Sequence, residues 1–130
     1  MGNDTPIRAI IIDDEELMRT IIKSALMALE VDVVGEAGNG KDGIKLFDES
    51  EPDLVLLDIR MPEMDGLEAL TTLKGKNHNV YVVMLTAIDD ADVIDECMIA
   101  GAKDYLKKGI PVSEIITRLQ RHINRLYNAI

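Results

Sequence analysis

The chain has 130 residues, of which 47% are hydrophobic, 29% charged and 3% aromatic. A chain of this length can bury about two-thirds of its unfolded surface, enough for one hydrophobic core but not for two. The net charge of −10 argues against a general nucleic-acid binder, which would need a basic surface. No segment reaches the roughly 18 apolar residues of a membrane span, and the single Cys97 cannot form an internal disulfide. We therefore expect a soluble, cytoplasmic protein.

The first half of the chain alternates strand patterns with helix patterns. Continuous apolar runs that stop abruptly indicate buried strands, whereas apolar residues three or four positions apart indicate helices. Residues 1–6 lack either pattern and are expected to form a flexible lead. The predicted strands are Ile7–Ile12, Val31–Ala37 and Leu54–Leu57, the last finishing on Asp58, and the predicted helices are Glu16–Leu29 and Asp42–Ser50.

The second half continues the same alternation. Gly101 is typical of the residue that follows a helix end. Five strands alternating with five helices predict a doubly wound parallel α/β sheet, with helices on both faces and the flavodoxin-like strand order 2-1-3-4-5, in one domain over residues 7–128. The predicted strands are Val80–Leu85 and Asp104–Lys107, and the predicted helices are Leu67–Lys74, Asp89–Ala100 and Val112–Asn128.

Polar residues follow four of these strands where the strands end. Asp13 and Asp14 follow the first strand, Asp58 ends the third, Thr86 ends the fourth, and Lys107–Lys108 ends the fifth. In an open parallel sheet the ligand site lies beyond the carboxyl ends of the strands, where the strand order reverses. The first and third strands are neighbours at that point, so three carboxylates are expected to converge on one cleft.

Three converging anions repel one another unless a proton, a basic side chain or a cation compensates them. A few oxygen ligands suit Mg²⁺, which commonly links protein carboxylates to phosphate oxygens. A lysine and a threonine hydroxyl can bind phosphoryl oxygens, and a carboxylate can be the nucleophile that forms an aspartyl-phosphate. The set is therefore consistent with a phosphoryl-transfer site.

Four stretches of the chain resemble the receiver domain of bacterial response regulators, in the right order and over nearly the whole chain. The segment from Asp58 to Gly66 is the most specific of them. The stretches are Ile11–Glu15, Asp53–Gly66, Val83–Ala87 and Ala100–Lys108. The resemblance implies a stand-alone phosphorylation switch of a two-component system.

The resemblance also implies roles for the acidic residues. Asp58 would be the phosphoacceptor, and Asp14 a direct Mg²⁺ ligand, with Mn²⁺ as a possible substitute. Asp13 would reach the metal mainly through water, and the backbone carbonyl of Arg60 would complete the protein ligands. The residues two positions after the acceptor and after Thr86, here Arg60 and Ile88, would tune the lifetime of the phosphoryl group. We expect Ile88→Ala to hydrolyse faster, because bulky Ile88 would obstruct the attacking water.

The same resemblance implies which residues would bind the phosphoryl group. Thr86 would bind the phosphoryl group, Lys108 rather than Lys107 would contact it, and Tyr105 would be the aromatic switch residue. The family usually has proline after that lysine, often in a cis bond, whereas this chain has Gly109. A cis bond before a residue other than proline costs about 3 kcal/mol, so we expect this loop to be trans or more mobile.

The expected partners are a histidine kinase or phosphotransfer protein and a downstream protein target, with no nucleic acid or membrane. The chain would be a monomer or a phosphorylation-linked dimer, and would catalyse only its own phosphorylation and dephosphorylation. A pseudo-receiver that is never phosphorylated and an aspartate-nucleophile phosphohydrolase are the alternatives. The phosphohydrolases usually have D-x-D-x-[TV] after the first strand, which residues 13–16 do not match.

Two other patterns have plain structural interpretations. Gly38–Gly43 matches the dinucleotide-binding pattern G-x-G-x-x-G, but it follows the second strand, away from the expected site, so a tight turn and a helix start are favoured. Arg118, Arg121, His122 and Arg125 recur on one side of the final helix. We expect that stripe to be a solvated face or part of a docking surface.

Overall fold

The computed structural model describes residues 5–87 and 91–129, and over these ranges five strands alternate with five helices, as predicted. The strands are β1 (Arg8–Ile12), β2 (Asp32–Ala37), β3 (Leu54–Asp58), β4 (Tyr81–Thr86) and β5 (Asp104–Lys107). The helices are α1 (Glu16–Ala28), α2 (Gly40–Ser50), α3 (Gly66–Lys76), α4 (Ala91–Ile99) and α5 (Val112–Ala129).

The strands form one parallel sheet in the order β2-β1-β3-β4-β5, which confirms the predicted topology. At the centre, Ile12 of β1 pairs with Leu57 of β3, and Asp58 pairs with Leu85 of β4. The chain proceeds from β1 to β2 on one side and from β3 to β5 on the other. The loops after β1 and β3 therefore diverge and leave a crevice at the carboxyl end of the sheet.

The hydrophobic core consists of two layers, one on each face of the sheet. Side chains alternate between the faces along each strand, so Ala9 and Ile11 of β1 join one layer while Ile10 and Ile12 join the other. Helices α1 and α5 cover the first layer, and α2, α3 and α4 cover the second. Strands covered on both faces must be apolar throughout, which explains the continuous apolar runs in the sequence.

Several helix ends differ from the sequence prediction by one or two residues. Helix α2 begins at Gly40 rather than Asp42, because the Asn39 side chain accepts a hydrogen bond from the Asp42 amide and caps the helix. Helix α3 continues to Lys76. The lysines in its last turn are favourable there because they lie at the negative end of the helix dipole. The predicted start of α4 at Asp89 lies outside the described residues, as do residues 1–4. Within the described ranges, no helix has the length and hydropathy to cross a bilayer.

Candidate metal and phosphoryl site

Three carboxylates meet in the crevice between β1 and β3. Asp13 and Asp14 directly follow β1, and Asp58 is the last residue of β3. One carboxylate oxygen from each residue lies within 4.8 Å of the other two. Asp13 and Asp58 are 0% and 2% exposed, whereas Asp14 is open to solvent. The fold thus brings together the three carboxylates that the sequence predicts as metal ligands.

Backbone groups hold the two buried carboxylates in place. The Glu15 amide donates a hydrogen bond to Asp13 Oδ1 at 2.8 Å, and the Arg60 amide donates to Asp58 Oδ1 at 3.2 Å. The Gly66 amide donates to the Ile59 carbonyl oxygen at 2.7 Å and closes the loop between β3 and α3. A Cβ atom at Gly66 would clash with the Asp58 carbonyl oxygen. Gly66 therefore lets the loop fold tightly against the proposed acceptor residue.

The second oxygens of the buried carboxylates are suited to a cation. Asp13 Oδ2 and Asp58 Oδ2 accept no directed hydrogen bond, although the Lys108 ammonium group lies 2.9 and 3.2 Å from them. The ammonium group supplies charge at those oxygens without hydrogen-bond geometry, and buried oxygens in that condition are costly. Together with exposed Asp14 they form a cluster of oxygen donors of the kind that Mg²⁺ prefers. The residues present therefore fit the predicted metal.

Lys108 closes the cluster from the side of β5. Its Nζ atom lies 2.5 Å from Glu15 Oε1, in addition to its contacts with Asp13 and Asp58. Its backbone amide donates to the Thr86 carbonyl oxygen at 2.7 Å, which continues the pairing of β4 with β5. The structure places Lys108 at the cluster, while the Lys107 side chain is exposed.

The loop after Lys108 departs from the family pattern without a cis bond. No cis peptide bond occurs among the described residues, so Lys108–Gly109 is trans, one of the two outcomes expected from the sequence. Gly109 has a φ of +93°, in the region that only glycine adopts without strain. The glycine thus provides the turn that follows the lysine.

The electrostatics of the cluster follow from burial and from like charges. Burial, and next the Asp13 carboxylate, raise the pKa of Asp58, the Lys108 ammonium group opposes both effects, and the resulting pKa is about 7. Burial alone would lower the pKa of Lys108, but its hydrogen bonds to Glu15 and Asp13 and the Asp58 charge hold that pKa above its ordinary value. Lys108 is therefore a permanent cation beside an acid that is only partly ionised at neutral pH in the metal-free protein.

The other predicted site residues lie around this cluster. Thr86 is fully buried at the end of β4, and Arg60 is exposed in the loop next to Asp58. Tyr105 is partly buried and lines a groove with Ile94 and Met98 of α4. Ile88, the predicted lifetime residue, lies outside the described residues.

A buried polar network at the amino ends of β4 and β5 was not expected from the sequence. His122 is 3% exposed, so its predicted place on a solvated face is wrong. Its Nδ1 atom lies 2.6 Å from the Tyr81 hydroxyl, and its Nε2 atom lies 2.8 Å from Asp104 Oδ2. Arg118 also contacts Asp104 and donates to the Tyr105 carbonyl oxygen at 2.9 Å. The exposed arginines on either side of His122 concealed its burial in the sequence pattern.

The glycine pattern at residues 38–43 lies on the far side of β1 from Asp58. It joins edge strand β2 to α2, and Asn39 within it caps that helix. A Cβ atom at Gly43 would lie 2.6 Å from Ile12 Cδ1, so this glycine permits close packing of α2 on the sheet. The motif is accordingly a turn and helix start, as the sequence favoured.

Comparison with known proteins is consistent with this geometry. Residues 9–120 match the family model described as the response regulator receiver domain. The chemotaxis protein CheY of Listeria monocytogenes is 37% identical over 115 residues, which cover 88% of this chain and 97% of CheY. The signal receiver domain of the response regulator NarL from Mycobacterium tuberculosis superposes with a TM-score of 0.83 at 29% identity, covering 92% of this chain and 97% of that domain. A CheY-like receiver domain protein from Methanospirillum hungatei has the same fold, with a TM-score of 0.87 at 20% identity, covering 97% of this chain and 100% of the other.

Proposed function

This chain belongs to the response regulator receiver domain family, and from that membership we propose that it is a switch phosphorylated on Asp58 with the help of Mg²⁺. The observation that carries the proposal is the convergence of Asp13, Asp14 and Asp58, two of them buried, on one crevice beside Lys108. An acidic cluster of this kind destabilises a fold by self-repulsion unless a cation occupies it. The presence of this acidic cluster is therefore better explained by a function in binding a cation than by chance.

Different residues of the chain have different roles in the proposed phosphoryl transfer. Asp58 supplies the carboxylate oxygen that would attack phosphorus as the bond between phosphorus and the leaving atom of the donor breaks, and the Arg60 amide, which donates to Asp58 Oδ1, orients this carboxylate. Mg²⁺ held by Asp13, Asp14 and Asp58, with the Arg60 carbonyl completing the protein ligands, would neutralise charge on the phosphoryl oxygens. Lys108 and the Thr86 hydroxyl bind the other oxygens after transfer. The chain would catalyse only its own modification and turn over no other substrate.

The phosphoryl donor is proposed to be a phosphohistidine on a histidine kinase or a phosphotransfer protein. Leu17 in the first turn of α1 is 73% exposed, three residues after the solvent-facing Asp14. An exposed leucine on the helix that follows the acidic pair is suited to a partner that packs an apolar surface there while its histidine enters the site. We expect this exchange to take place in the cytoplasm.

The output is proposed to be a change in protein binding on the face formed by α4, β5 and α5. Phosphorylation adds a charge of about −1.5 to −2, which would draw in Thr86 and Lys108 at the ends of β4 and β5. Tyr105 of β5 lines a groove together with Met98 of α4. Ile99 on α4 is 87% exposed, so this face offers apolar surface to a target protein or to a second copy of the chain.

The proposal is tested by incubating the protein with acetyl phosphate, with and without Mg²⁺, and measuring its intact mass. We expect a Mg²⁺-dependent phosphoryl adduct in the wild type and none in Asp58→Asn. Lack of any adduct in the wild type would favour a pseudo-receiver. Steady release of phosphate from a small phosphoester that survives Asp58→Asn and is lost in Asp13→Asn would favour a phosphohydrolase.

The output is tested separately with fluoroberyllate, a mimic of the phosphoryl group. With Mg²⁺ present, we expect amide chemical shifts to change on α4 and β5, including Tyr105. If the shifts change only around the acidic cluster, the proposed output face is wrong.

A further inference from the structure

Lys108 has three carboxylate partners in this structure, and one of them is not a predicted metal ligand. Its Nζ atom is closer to Glu15 Oε1, at 2.5 Å, than to Asp13 Oδ2 at 2.9 Å or to the proposed acceptor Asp58 at 3.2 Å. The Lys108 side chain is 10% exposed, and the Glu15 side chain is 59% exposed. Glu15 therefore contacts the ammonium group from the solvent side, while the two aspartates contact it from the interior.

The Glu15 side chain is committed to this contact rather than to the helix that it precedes. Glu15 occupies the N-cap position of α1, yet its side chain makes no capping hydrogen bond. Its backbone amide instead donates to Asp13 Oδ1, which fixes the backbone beside the acidic cluster. The backbone of Glu15 is thus bonded to Asp13, and its side-chain carboxylate contacts Lys108.

We propose that Glu15 is a positioning residue, which holds the Lys108 ammonium group on the solvent side of the cluster and so opposes its binding to a phosphoryl group at Asp58. This inference rests on the proposed function. An ammonium group has three hydrogen-bond donors and no acceptor. Once Asp13 and Asp58 bind a divalent cation, Glu15 is the remaining carboxylate among the three that contact Lys108. Glu15 occupies one of these donors and holds the ammonium group on the solvent side, so it opposes movement of that group toward a phosphoryl group at Asp58.

The chain after Lys108 is suited to this exchange of partners. Gly109 follows in a left-handed conformation, and a Cβ atom there would meet nothing within 4 Å. The lysine backbone stays fixed through its hydrogen bond to Thr86, so the long side chain can move between partners while the strand does not. Glu15 would then lower the affinity of the site for a phosphoryl group.

The test uses fluoroberyllate at saturating Mg²⁺ and compares the wild type with Glu15→Gln. Ion pairs with a solvent-exposed partner such as Glu15 contribute roughly 0.2–1 kcal/mol, so we expect the variant to bind fluoroberyllate about 1.4- to five-fold more tightly. The matched control is Glu16→Gln, which removes the same charge from the first turn of the same helix. Glu16→Gln should stay close to the wild type. Equal affinities for Glu15→Gln and Glu16→Gln, or weaker binding in Glu15→Gln, would overturn the inference.

A second measurement separates positioning of Lys108 from a general effect of charge. The ¹H–¹⁵N signal of the Lys108 ammonium group should persist in the Mg²⁺-loaded wild type and broaden through fast exchange in Mg²⁺-loaded Glu15→Gln. In the metal-free variant the signal should remain, because Asp13 and Asp58 still hold the lysine. An ammonium signal that is unchanged by Glu15→Gln in the Mg²⁺-loaded protein would contradict the proposal.

Failure of the inference about Glu15 can be distinguished from failure of the proposed function. If wild type binds fluoroberyllate with Mg²⁺ and forms the acetyl phosphate adduct, but Glu15→Gln behaves as wild type, this inference alone is wrong. If wild type does neither, the proposed function is wrong, and the proposed role of Glu15 is wrong as well.

Discussion

Asp58 combines two properties that oppose each other in the metal-free protein. It must be ionised to act as a nucleophile, yet burial and the Asp13 carboxylate raise its pKa to about 7. A cation at the cluster removes this conflict by favouring the ionised form. The proposed phosphoacceptor is thus only partly ionised at neutral pH until a cation binds.

We predict that Asp58→Asn stabilises the metal-free protein, and more at pH 8 than at pH 5. The pKa of Asp58 is raised from 3.8 in the unfolded chain to about 7 in the folded one. Between those values the folded state binds more protons than the unfolded state, so stability falls as pH rises. That pKa already includes the opposing effect of Lys108, so the gain from asparagine should be a few kcal/mol at pH 8 and smaller at pH 5. Urea unfolding in a chelator measures it; equal gains at both pH values would contradict the assignment.

Gly66 shows how a residue without functional groups limits the same site. The sequence places it in the most family-specific segment, and the structure gives the physical reason, since no Cβ fits between it and β3. A Cβ atom there would clash with the Asp58 carbonyl oxygen and lie 2.7 Å from Ile59 Cα. Both contacts are with backbone, which cannot move aside without displacing Asp58, the proposed acceptor.

We predict that Gly66→Ala destabilises the protein by about 3 kcal/mol or more, and slows phosphorylation by acetyl phosphate. The matched control is Gly75→Ala in the same helix, where a Cβ atom meets nothing within 4 Å. That control should be neutral or stabilising by up to about 1 kcal/mol, because alanine favours helix. Urea denaturation of both variants checks the prediction. Similar effects in the two variants would show that close packing at Gly66 is not the cause.

At the scale of elements, helix α5 is fixed to the sheet by polar as well as apolar contacts. The Asp104 carboxylate of β5 can only accept, so His122 donates to it from Nε2. In the neutral tautomer with that proton, Nδ1 is the acceptor for the Tyr81 hydroxyl of β4. Burial would raise the pKa of Asp104, but the hydrogen bond from His122 and the Arg118 charge hold it below its ordinary value. The network therefore ties α5 to the two strands that end in Thr86 and Lys107–Lys108.

We predict that Tyr81→Phe lowers the free energy of unfolding by about 1–2 kcal/mol, because it leaves a buried imidazole nitrogen without its donor. Tyr127→Phe on α5 removes the same hydroxyl from a tyrosine that is 36% exposed, and should have little effect. Urea unfolding near pH 7 compares the two variants. A loss in Tyr127→Phe as large as in Tyr81→Phe would show that the network contributes nothing specific.

The elements themselves were predictable because their patterns are simple. Strands such as β3 and β4 are buried on both faces and read as unbroken apolar runs, and α1 and α5 show helical spacing. Helix ends were less predictable, since the start of α2 depends on the Asn39 cap. The burial of His122 could not be read from α5 alone. It depends on Tyr81, 41 residues away, and local periodicity carries no such information.

At the scale of the whole molecule, the site follows from topology rather than from any one segment. Asp13, Asp58 and Lys108 are far apart in sequence, and the strand order 2-1-3-4-5 brings their strand ends to one edge. That convergence was predictable from the alternation of strands and helices. The division of Lys108 among three carboxylates was not, because it depends on side-chain positions that sequence spacing leaves open.

We predict that Mg²⁺ stabilises the whole fold, because binding to the folded state alone shifts unfolding by mass action. At ten times its dissociation constant, Mg²⁺ should raise the free energy of unfolding by about 1.4 kcal/mol. The gain should be much smaller in Asp14→Asn, which loses a carboxylate that is already exposed and so leaves the core packing intact. Sodium chloride at matched ionic strength controls for screening of the net charge of −10. Stabilisation of equal size by sodium chloride, or by Mg²⁺ in Asp14→Asn, would show that the cluster at Asp13, Asp14 and Asp58 is not the binding site.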